Sequence, residues 1–143
     1  MEILLSKYFS LAELTASKTA KQSKLPNNPN EEQLRNLTAL ATHVLDPLRH
    51  AYGAPLYVNS GFRSAAVNVA VGGAKNSQHM RGQAADITTG SPTENRKLLA
   101  ILLANYYTIS FDQAIAEQCN KQGCPRWIHI SWAPKGRGEI IYA

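Results

Sequence analysis

The spacing of the hydrophobic residues changes partway along this 143-residue chain, and that change limits the possible folds more than any other sequence feature. Residues 30–52 carry apolar side chains at a helical period, namely Leu34, Leu37, Leu40, Ala41, Val44, Leu45 and Leu48. Residues 127–132 alternate instead with the period of two that is typical of a strand. Helices that come first and strands that come later predict an α+β fold, a small antiparallel sheet with helices packed on one side.

Two capping patterns place the first helices. Ser10 followed by Glu13 is a capping box and predicts a short helix over about residues 11–15. Asn30 followed by Gln33 predicts the start of the longer amphipathic helix. The asparagine- and proline-rich stretch between these two helices predicts an irregular connector.

Pro47 lies inside the long helical pattern and predicts a kink or break near Asp46, because proline cannot donate a helical hydrogen bond. The segments that follow are shorter. Their composition and turn signals predict helices over residues 65–71 and 92–105, and strands over residues 56–59, 82–88, 107–117, 127–132 and 139–142.

The composition fits a single domain over residues 1–143, since 44% of the residues are hydrophobic and 17% are charged, too few charges for a disordered chain. No apolar run is long enough to insert into a membrane, and no secretory signal pattern opens the sequence, so synthesis in the cytoplasm is expected. The positive residues are spread along the chain, which argues against a nucleic-acid partner. The net charge of +5 suits association with an anionic cell wall. We expect a monomer.

Cys119 and Cys124 lie close together in one short segment. The sequence has no second cysteine pair to complete a four-ligand zinc cluster. We therefore interpret the two thiols as part of a loop, free in a reducing compartment or bridged in an oxidising one.

Two of the four histidines lie in contexts that suggest chemistry. His43 and His50 fall on the long helix without an acidic or thiol partner in sequence, and we interpret them as surface or half-buried helix histidines. His79 precedes a glycine turn, and Asp86 lies in the predicted strand that follows. His129 lies between two isoleucines that favour the core face, which leaves the histidine on the polar face of its strand.

Two imidazoles and one carboxylate suit Zn²⁺ and leave a fourth coordination position for water, as in catalytic zinc sites. The spacing of these residues leaves a second interpretation open, in which both histidines are satisfied structurally and the aspartate lies on the surface.

Three segments together carry a resemblance to a known family. The motif Ser-x-His-x-x-Gly-x-Ala-x-Asp-Ile at residues 77–87 resembles the zinc motif of the D-alanyl-D-alanine carboxypeptidase family of metallopeptidases. Ser-Gly-Phe-Arg-Ser at residues 60–64 and Trp-Ile-His-Ile-Ser at residues 127–131 are similar to that family's upstream and downstream segments, in the same order. Residues 9–14 look like the opening of the short phage and prophage branch, which includes endolysin-type proteins.

The resemblance implies that His79, Asp86 and His129 are the three ligands of a Zn²⁺ cofactor. It also implies that Arg63 anchors a substrate carboxylate or carbonyl, and a guanidinium suits this role because it can form two charge-assisted bonds to a carboxylate. Ser77 is expected to orient the substrate or a ligand, although a turn-forming role would suit a serine equally well.

The general base is not evident from the three motifs. Relatives keep an acidic residue or a histidine at the positions of Arg126 and Trp127, and neither side chain present here can accept the proton. Residues 111–117 resemble a strand of the related hedgehog signalling domain that ends in a glutamate beside the zinc. We therefore predict Glu117 as the base, with Asp112 as the alternative.

Together these features predict a zinc-dependent peptidase that uses a metal-activated water on peptidoglycan stem or cross-link peptides. Gln113 and Trp127 are expected to contact the substrate. A carboxypeptidase and an endopeptidase both fit the pattern, and a phage release system would bring the protein to the cell wall. The alternative is a non-catalytic binding module that keeps the zinc site.

Overall fold

A computed structural model describes residues 2–143 of the chain. The α-helices in this range are α1 Leu11–Thr15, α2 Lys18–Gln22, α3 Glu31–Leu40, α4 Asp46–Tyr52, α5 Ala65–Ala70 and α6 Pro92–Ala104. A π-helical turn covers Ala41–Leu45 and a 3₁₀ turn covers Gln78–Arg81. The strands are β1 Tyr57–Ser60, β2 Ala84–Thr88, β3 Gln113–Glu117, β4 Trp127–Ser131 and β5 Glu139–Tyr142. Within residues 2–143, no helix combines the length and the apolar character needed to cross a bilayer.

The described strands form one sheet in the order β1–β2–β4–β3–β5. The pairs β1–β2, β2–β4 and β4–β3 are antiparallel, as predicted, but β5 runs parallel to β3. The chain after β4 crosses the start of β3, where Gly138 and Glu139 donate backbone hydrogen bonds to Phe111 and Asp112. Because β5 therefore begins at the same end as β3, the sheet is mixed. The predicted α+β class is confirmed.

Helices cover one face of the sheet and bury it. Ile128 and Ile130 of β4 are 1% and 0% exposed, as the alternation of residues 127–132 predicts. They share one apolar cluster with the strand residues Ala85, Ile87, Ala114 and Ala116 and the helix residues Leu37, Leu40, Val44, Leu45, Leu48, Leu98 and Leu102. The side chains that alternate with these strand residues lie on the opposite face, which is free to carry a site.

The capping patterns correctly locate the first helices. The Ser10 side chain accepts from the Glu13 backbone, and the Glu13 side chain accepts from the Ser10 backbone, so α1 has the predicted capping box. Asn30 and Gln33 form the same reciprocal pair at α3. The short helix α2 was not predicted, because five residues show no hydrophobic period.

The interruption predicted at Pro47 takes the form of the π-helical turn. The Asp46 N–H donates to the Ala41 carbonyl, one residue farther back than in an α-helix. Pro47 then falls in the first turn of α4, a position that tolerates its missing N–H. The long amphipathic pattern is therefore one helical segment divided by a wider turn.

The strand predicted over residues 107–117 is only half correct, since β3 begins at Gln113. Residues 105–109 instead form turns after α6, in which Thr108 and Ile109 donate to the Asn105 carbonyl. The Tyr107 side chain is 97% exposed. The aromatic residues that suggested a strand therefore lie at the exit of a helix.

A compact loop joins β3 to β4 and contains both cysteines. The Asn120 side chain accepts from the backbone of Gln122 and Cys124, and Arg126 donates to the Glu117 carbonyl at the base of the loop. Cys119 and Cys124 are both free thiols here, as one of the two interpretations expects.

Candidate metal centre

The three predicted metal ligands meet on the open face of the sheet. Asp86 and His129 are direct cross-strand partners on β2 and β4, and His79 comes from the 3₁₀ turn before β2. One potential donor atom from each residue lies within 4.8 Å of the other two. This cluster can hold a metal ion.

A glycine turn carries the chain from His79 into β2. Gly82 has a φ of +72°, in the left-handed region that favours glycine. A Cβ atom at this position would also clash with the Gln33 carbonyl of α3. The glycine thus permits both the turn and its close approach to α3, and both place His79 beside the strand that carries Asp86.

A backbone carbonyl fixes the orientation of the His79 ring. His79 Nδ1 lies 2.7 Å from the Gly61 carbonyl oxygen. Because a carbonyl only accepts hydrogen bonds, Nδ1 carries the hydrogen and Nε2 carries the lone pair. His79 Nε2 lies 3.2 Å from Asp86 Oδ1, so the free nitrogen points into the cluster. This arrangement is typical of histidines that bind metals.

Helix α1 and the connector position the segment that contains Gly61. The Phe62 N–H donates to the Leu14 carbonyl at 2.8 Å, and a Cβ at Gly61 would clash with the same carbonyl. The Asn27 side chain donates to the carbonyls of Thr15 and Phe62. The motif at residues 60–64 therefore supports the site through its backbone as well as through its arginine.

His129 binds partners on both sides of its ring. Nδ1 lies 3.1 Å from Asp86 Oδ1, and Nε2 lies 3.3 Å from Oε1 of Gln78. The Gln78 amide nitrogen in turn donates to Asp112 at 2.9 Å. Gln78 was not predicted as a site residue, and its position between Ser77 and His79 is the one sequence signal for this role.

Asp86 is held in its ionised form. Burial by itself raises the pKa of this carboxyl, but the hydrogen bonds that His129 and then His79 donate in their protonated form outweigh burial and hold the pKa well below its usual range. The residue therefore offers a negatively charged oxygen to a cation at neutral pH.

Arg63 lies beside the cluster with its guanidinium held in place. Its Nη2 is 3.6 Å from Asp86 Oδ2, its Nε donates to Ser60 Oγ at 3.1 Å, and its Nη1 donates to Asn68 Oδ1 at 3.2 Å. Burial lowers the pKa of Arg63, and the Asp86 charge opposes that shift. The structure thus places Arg63 at the site, while its role as a substrate anchor stays a prediction.

Two other predicted substrate contacts have partners within the protein. The Ser77 hydroxyl accepts from the His79 N–H at 3.2 Å and so caps the 3₁₀ turn. The Gln113 amide donates to Glu139 on β5 at 2.6 Å. Their contacts with substrate stay predictions.

An open cleft of about 400 Å³ lies beside the cluster. It is lined by Asn59, Asp86, Gln118, Arg126 and Trp127. The predicted substrate contact Trp127 therefore lines a cavity that includes one of the candidate metal ligands.

Glu117 shares a sheet face with His129. Glu117 pairs with Trp127, and Ile115 pairs with His129, so Glu117 is a diagonal neighbour of the histidine. Such neighbours have backbones roughly 7–8 Å apart, within reach of a long side chain. This placement is compatible with the predicted role of general base, which stays a prediction.

Asp112 is placed poorly for the alternative role of base. It is buried, and its carboxylate accepts two hydrogen bonds of 2.9 Å from the Arg137 guanidinium and one from Gln78. The bonds from Arg137 lower the pKa of Asp112 to about 2. A carboxylate held this way is a weak proton acceptor, and so the geometry favours Glu117.

The fold and the site define a class of protein: an α+β domain whose open sheet face carries two imidazoles and a carboxylate, the donor set of a catalytic zinc centre. The chain belongs to the peptidase M15 family, since the model of that family matches residues 7–131. The match includes all three residues of the cluster.

A curated relative gives a more specific similarity. The zinc D-Ala-D-Ala carboxypeptidase of Streptomyces albus G is 56% identical to this chain over 48 residues, which are 33% of this chain and 19% of that protein. The matched segment therefore spans less than a fifth of the relative. With the family match, it confirms the predicted class, a zinc metallopeptidase, and the predicted cofactor, Zn²⁺.

Proposed function

We propose that this protein hydrolyses peptide bonds in the peptide part of peptidoglycan. The observation that carries the proposal is the meeting of His79, Asp86 and His129 on an open sheet face, in a chain of the peptidase M15 family. The name of the Streptomyces relative supports peptides that end in D-Ala-D-Ala as one substrate class. An endopeptidase acting within the stem or cross-link would use the same centre.

The residues of the cluster fit Zn²⁺. His79 Nε2, Asp86 Oδ1 and His129 Nδ1 are the atoms that face one another, and the opposite nitrogen of each ring has a carbonyl oxygen as its partner. When bound, Zn²⁺ supplies a Lewis acid for the scissile carbonyl and lowers the pKa of a water molecule toward about 7.

The remaining steps fall to side chains around the cluster. Glu117 takes the proton of the attacking water and delivers it to the leaving amine, a role that suits a carboxylate on the same face as His129. Arg63 holds a carboxylate or carbonyl of the substrate through its guanidinium. Trp127 and Arg126 line the cleft in which the peptide chain lies.

The proposed site of action is the cell wall. The net charge of +5 favours association with an anionic polymer. The similarity of residues 9–14 to the phage and prophage branch supports an endolysin-type role, with a phage system releasing a monomeric enzyme to the wall.

Digestion of purified muropeptides, followed by mass spectrometry, tests the proposal and identifies the bond that is cut. We expect the zinc-loaded wild type to release D-Ala or to divide the peptide. Glu117→Gln should keep about one Zn²⁺ per chain and lose about 10²-fold or more in rate, the usual scale for a general base. Glu32→Gln, which alters an exposed glutamate on α3, is the matched control.

Two results would contradict parts of this proposal. Intact muropeptides after treatment with the zinc-loaded wild type would favour the non-catalytic binding module. An unchanged rate in Glu117→Gln would assign the base to another group.

A further inference from the structure

We propose that Gln78, Asp112 and Arg137 act as positioning residues that fix which ring nitrogen His129 presents to the metal. The inference rests on the proposed zinc site. It is carried by a continuous chain of hydrogen bonds that runs from His129 through Gln78 and Asp112 to Arg137.

The fixed end of this chain is the ion pair between Asp112 and Arg137. Asp112 is 3% exposed, and Arg137 contacts it through Nε and Nη2 at 2.9 Å and through its backbone N–H at 3.1 Å. The bidentate geometry fixes the plane of the carboxylate. An ionised carboxylate only accepts hydrogen bonds, so Asp112 presents a lone pair to Gln78.

This lone pair determines which way the Gln78 amide faces. The amide nitrogen lies 2.9 Å from Asp112 Oδ2. If the amide were reversed, two acceptor oxygens would face each other across the same distance. The donor end of Gln78 therefore stays toward Asp112, and its carbonyl oxygen Oε1 stays toward His129.

The orientation of Gln78 in turn determines the tautomer of His129. Oε1 lies 3.3 Å from His129 Nε2 and accepts from it, so Nε2 carries the hydrogen. In the neutral ring the lone pair then lies on Nδ1, which is 3.1 Å from Asp86 Oδ1 inside the cluster. Nδ1 is thus the nitrogen available to the metal.

The comparison with His79 shows why His129 needs this support. His79 is oriented by the Gly61 backbone carbonyl, which cannot reverse. His129 is oriented by a side-chain amide, which can exchange its donor and acceptor ends by rotation. Asp112 removes that freedom, and Arg137 holds Asp112 from the loop between β4 and β5.

Zinc affinity, measured by competition with a chelator, tests the proposal. We expect Gln78→Met and Asp112→Asn each to weaken zinc binding by about 10- to 100-fold, the usual cost of losing a group that orients a metal ligand. Asp112→Asn should add little in the Gln78→Met background, because Asp112 acts only through Gln78. Tyr106→Phe is the control, since it removes a hydrogen bond to Gly138 in the same loop without touching Gln78.

A nuclear magnetic resonance measurement supplies a second readout that does not depend on activity. In the zinc-loaded wild type, the His129 Nε2–H should give a ¹H–¹⁵N signal protected from solvent exchange. The signal should broaden or disappear in Gln78→Met and Asp112→Asn and should persist in Tyr106→Phe.

The outcomes separate this proposal from the zinc site itself. Zinc affinities equal to wild type in both variants would overturn the positioning role and leave the metal centre intact. The same conclusion would follow if Asp112→Asn weakened zinc binding equally in the wild-type and Gln78→Met backgrounds. A wild type that binds no zinc would overturn both. Gln78→Met keeps the Asp112–Arg137 ion pair. If Asp112→Asn fails to fold, the zinc affinity and the His129 Nε2–H signal of Gln78→Met therefore test the proposal.

Discussion

His79 and His129 present different ring nitrogens to Asp86, Nε2 at 3.2 Å and Nδ1 at 3.1 Å. The difference follows from where each residue is attached. His129 stands directly opposite Asp86 on the neighbouring strand, so Nδ1, the ring nitrogen nearer its own backbone, is close enough. His79 approaches from a turn and uses the far nitrogen, because the near one is bound to Gly61.

The first prediction concerns the metal content of His129→Ala. Removal of one of three donors leaves two protein ligands, fewer than catalytic zinc sites use. We expect a purified wild type with about one Zn²⁺ per chain and a variant with little or none, by elemental analysis. His50→Ala, on the exposed side of α4, should keep the metal. Full zinc occupancy in His129→Ala would show that the ligand assignment is wrong.

A second prediction concerns Arg63→Lys. Lysine keeps the positive charge but cannot form paired bonds to a carboxylate, and it cannot contact Ser60 and Asn68 together as Arg63 does. We expect a folded protein that binds zinc and loses most of its muropeptide hydrolysis. Circular dichroism and zinc content monitor the fold. Activity equal to wild type would mean that Arg63 is a structural residue of the turn.

Among individual residues, the sequence predicts the metal ligands better than it predicts the residues that orient those ligands. His79, Asp86 and His129 belong to motifs whose spacing is visible in the chain. Asp112 and Arg137 are brought to Gln78 by the tertiary fold, across 34 residues in the case of Asp112 and Gln78. No local pattern encodes that contact, and Asp112 was therefore considered as a base instead of a support.

Among the secondary-structure elements, those with local signals were the most predictable. The capping boxes of α1 and α3 each lie within four consecutive residues, and the structure contains both. The direction of β5 depends on how the chain crosses the start of β3, which its own sequence does not determine. The mixed sheet was therefore missed while the strand itself was predicted.

A third prediction concerns the ion pair that ties the loop between β4 and β5 to the start of β3. Arg137 lowers the pKa of Asp112 to about 2, below the value of about 3.9 expected in the unfolded chain. The ion pair therefore stabilises the fold fully above about pH 4, and this contribution disappears as the pH falls through about 2.

Urea unfolding of the zinc-free protein at several pH values measures this effect. The free energy of unfolding should be lower in Asp112→Asn than in wild type near pH 7, and the gap should shrink between about pH 4 and about pH 2. Glu31→Gln, which breaks an exposed ion pair with Arg35, should show a small gap throughout. A gap for Asp112→Asn that does not change with pH would contradict the assigned ion pair.

For the whole molecule, the metal centre joins parts that are distant in sequence. Its ligands come from the 3₁₀ turn, β2 and β4, and the unfolded chain does not hold them together. Binding to the native state alone stabilises it, by about 2.7 kcal/mol when free zinc is about 100 times its dissociation constant.

The fourth prediction follows from this coupling. A chelator should lower the melting temperature of the wild type, and added zinc should restore it. The melting temperature of His129→Ala should not respond to either treatment. Calorimetry measures both proteins, and a wild-type melting temperature that is insensitive to zinc would show that the site does not couple to folding.

The division of the sheet into a buried face and an open face has a consequence for protein engineering. Side chains that pack the core and side chains that line the cleft belong to different sets, so the cleft can be redesigned without disturbing the packing. Asn59 and Arg126 are exposed, and substitutions at such positions usually change stability by about 0.5 kcal/mol or less. A combinatorial library at these two positions should therefore consist mainly of folded proteins, from which enzymes with altered cleavage preferences can be selected.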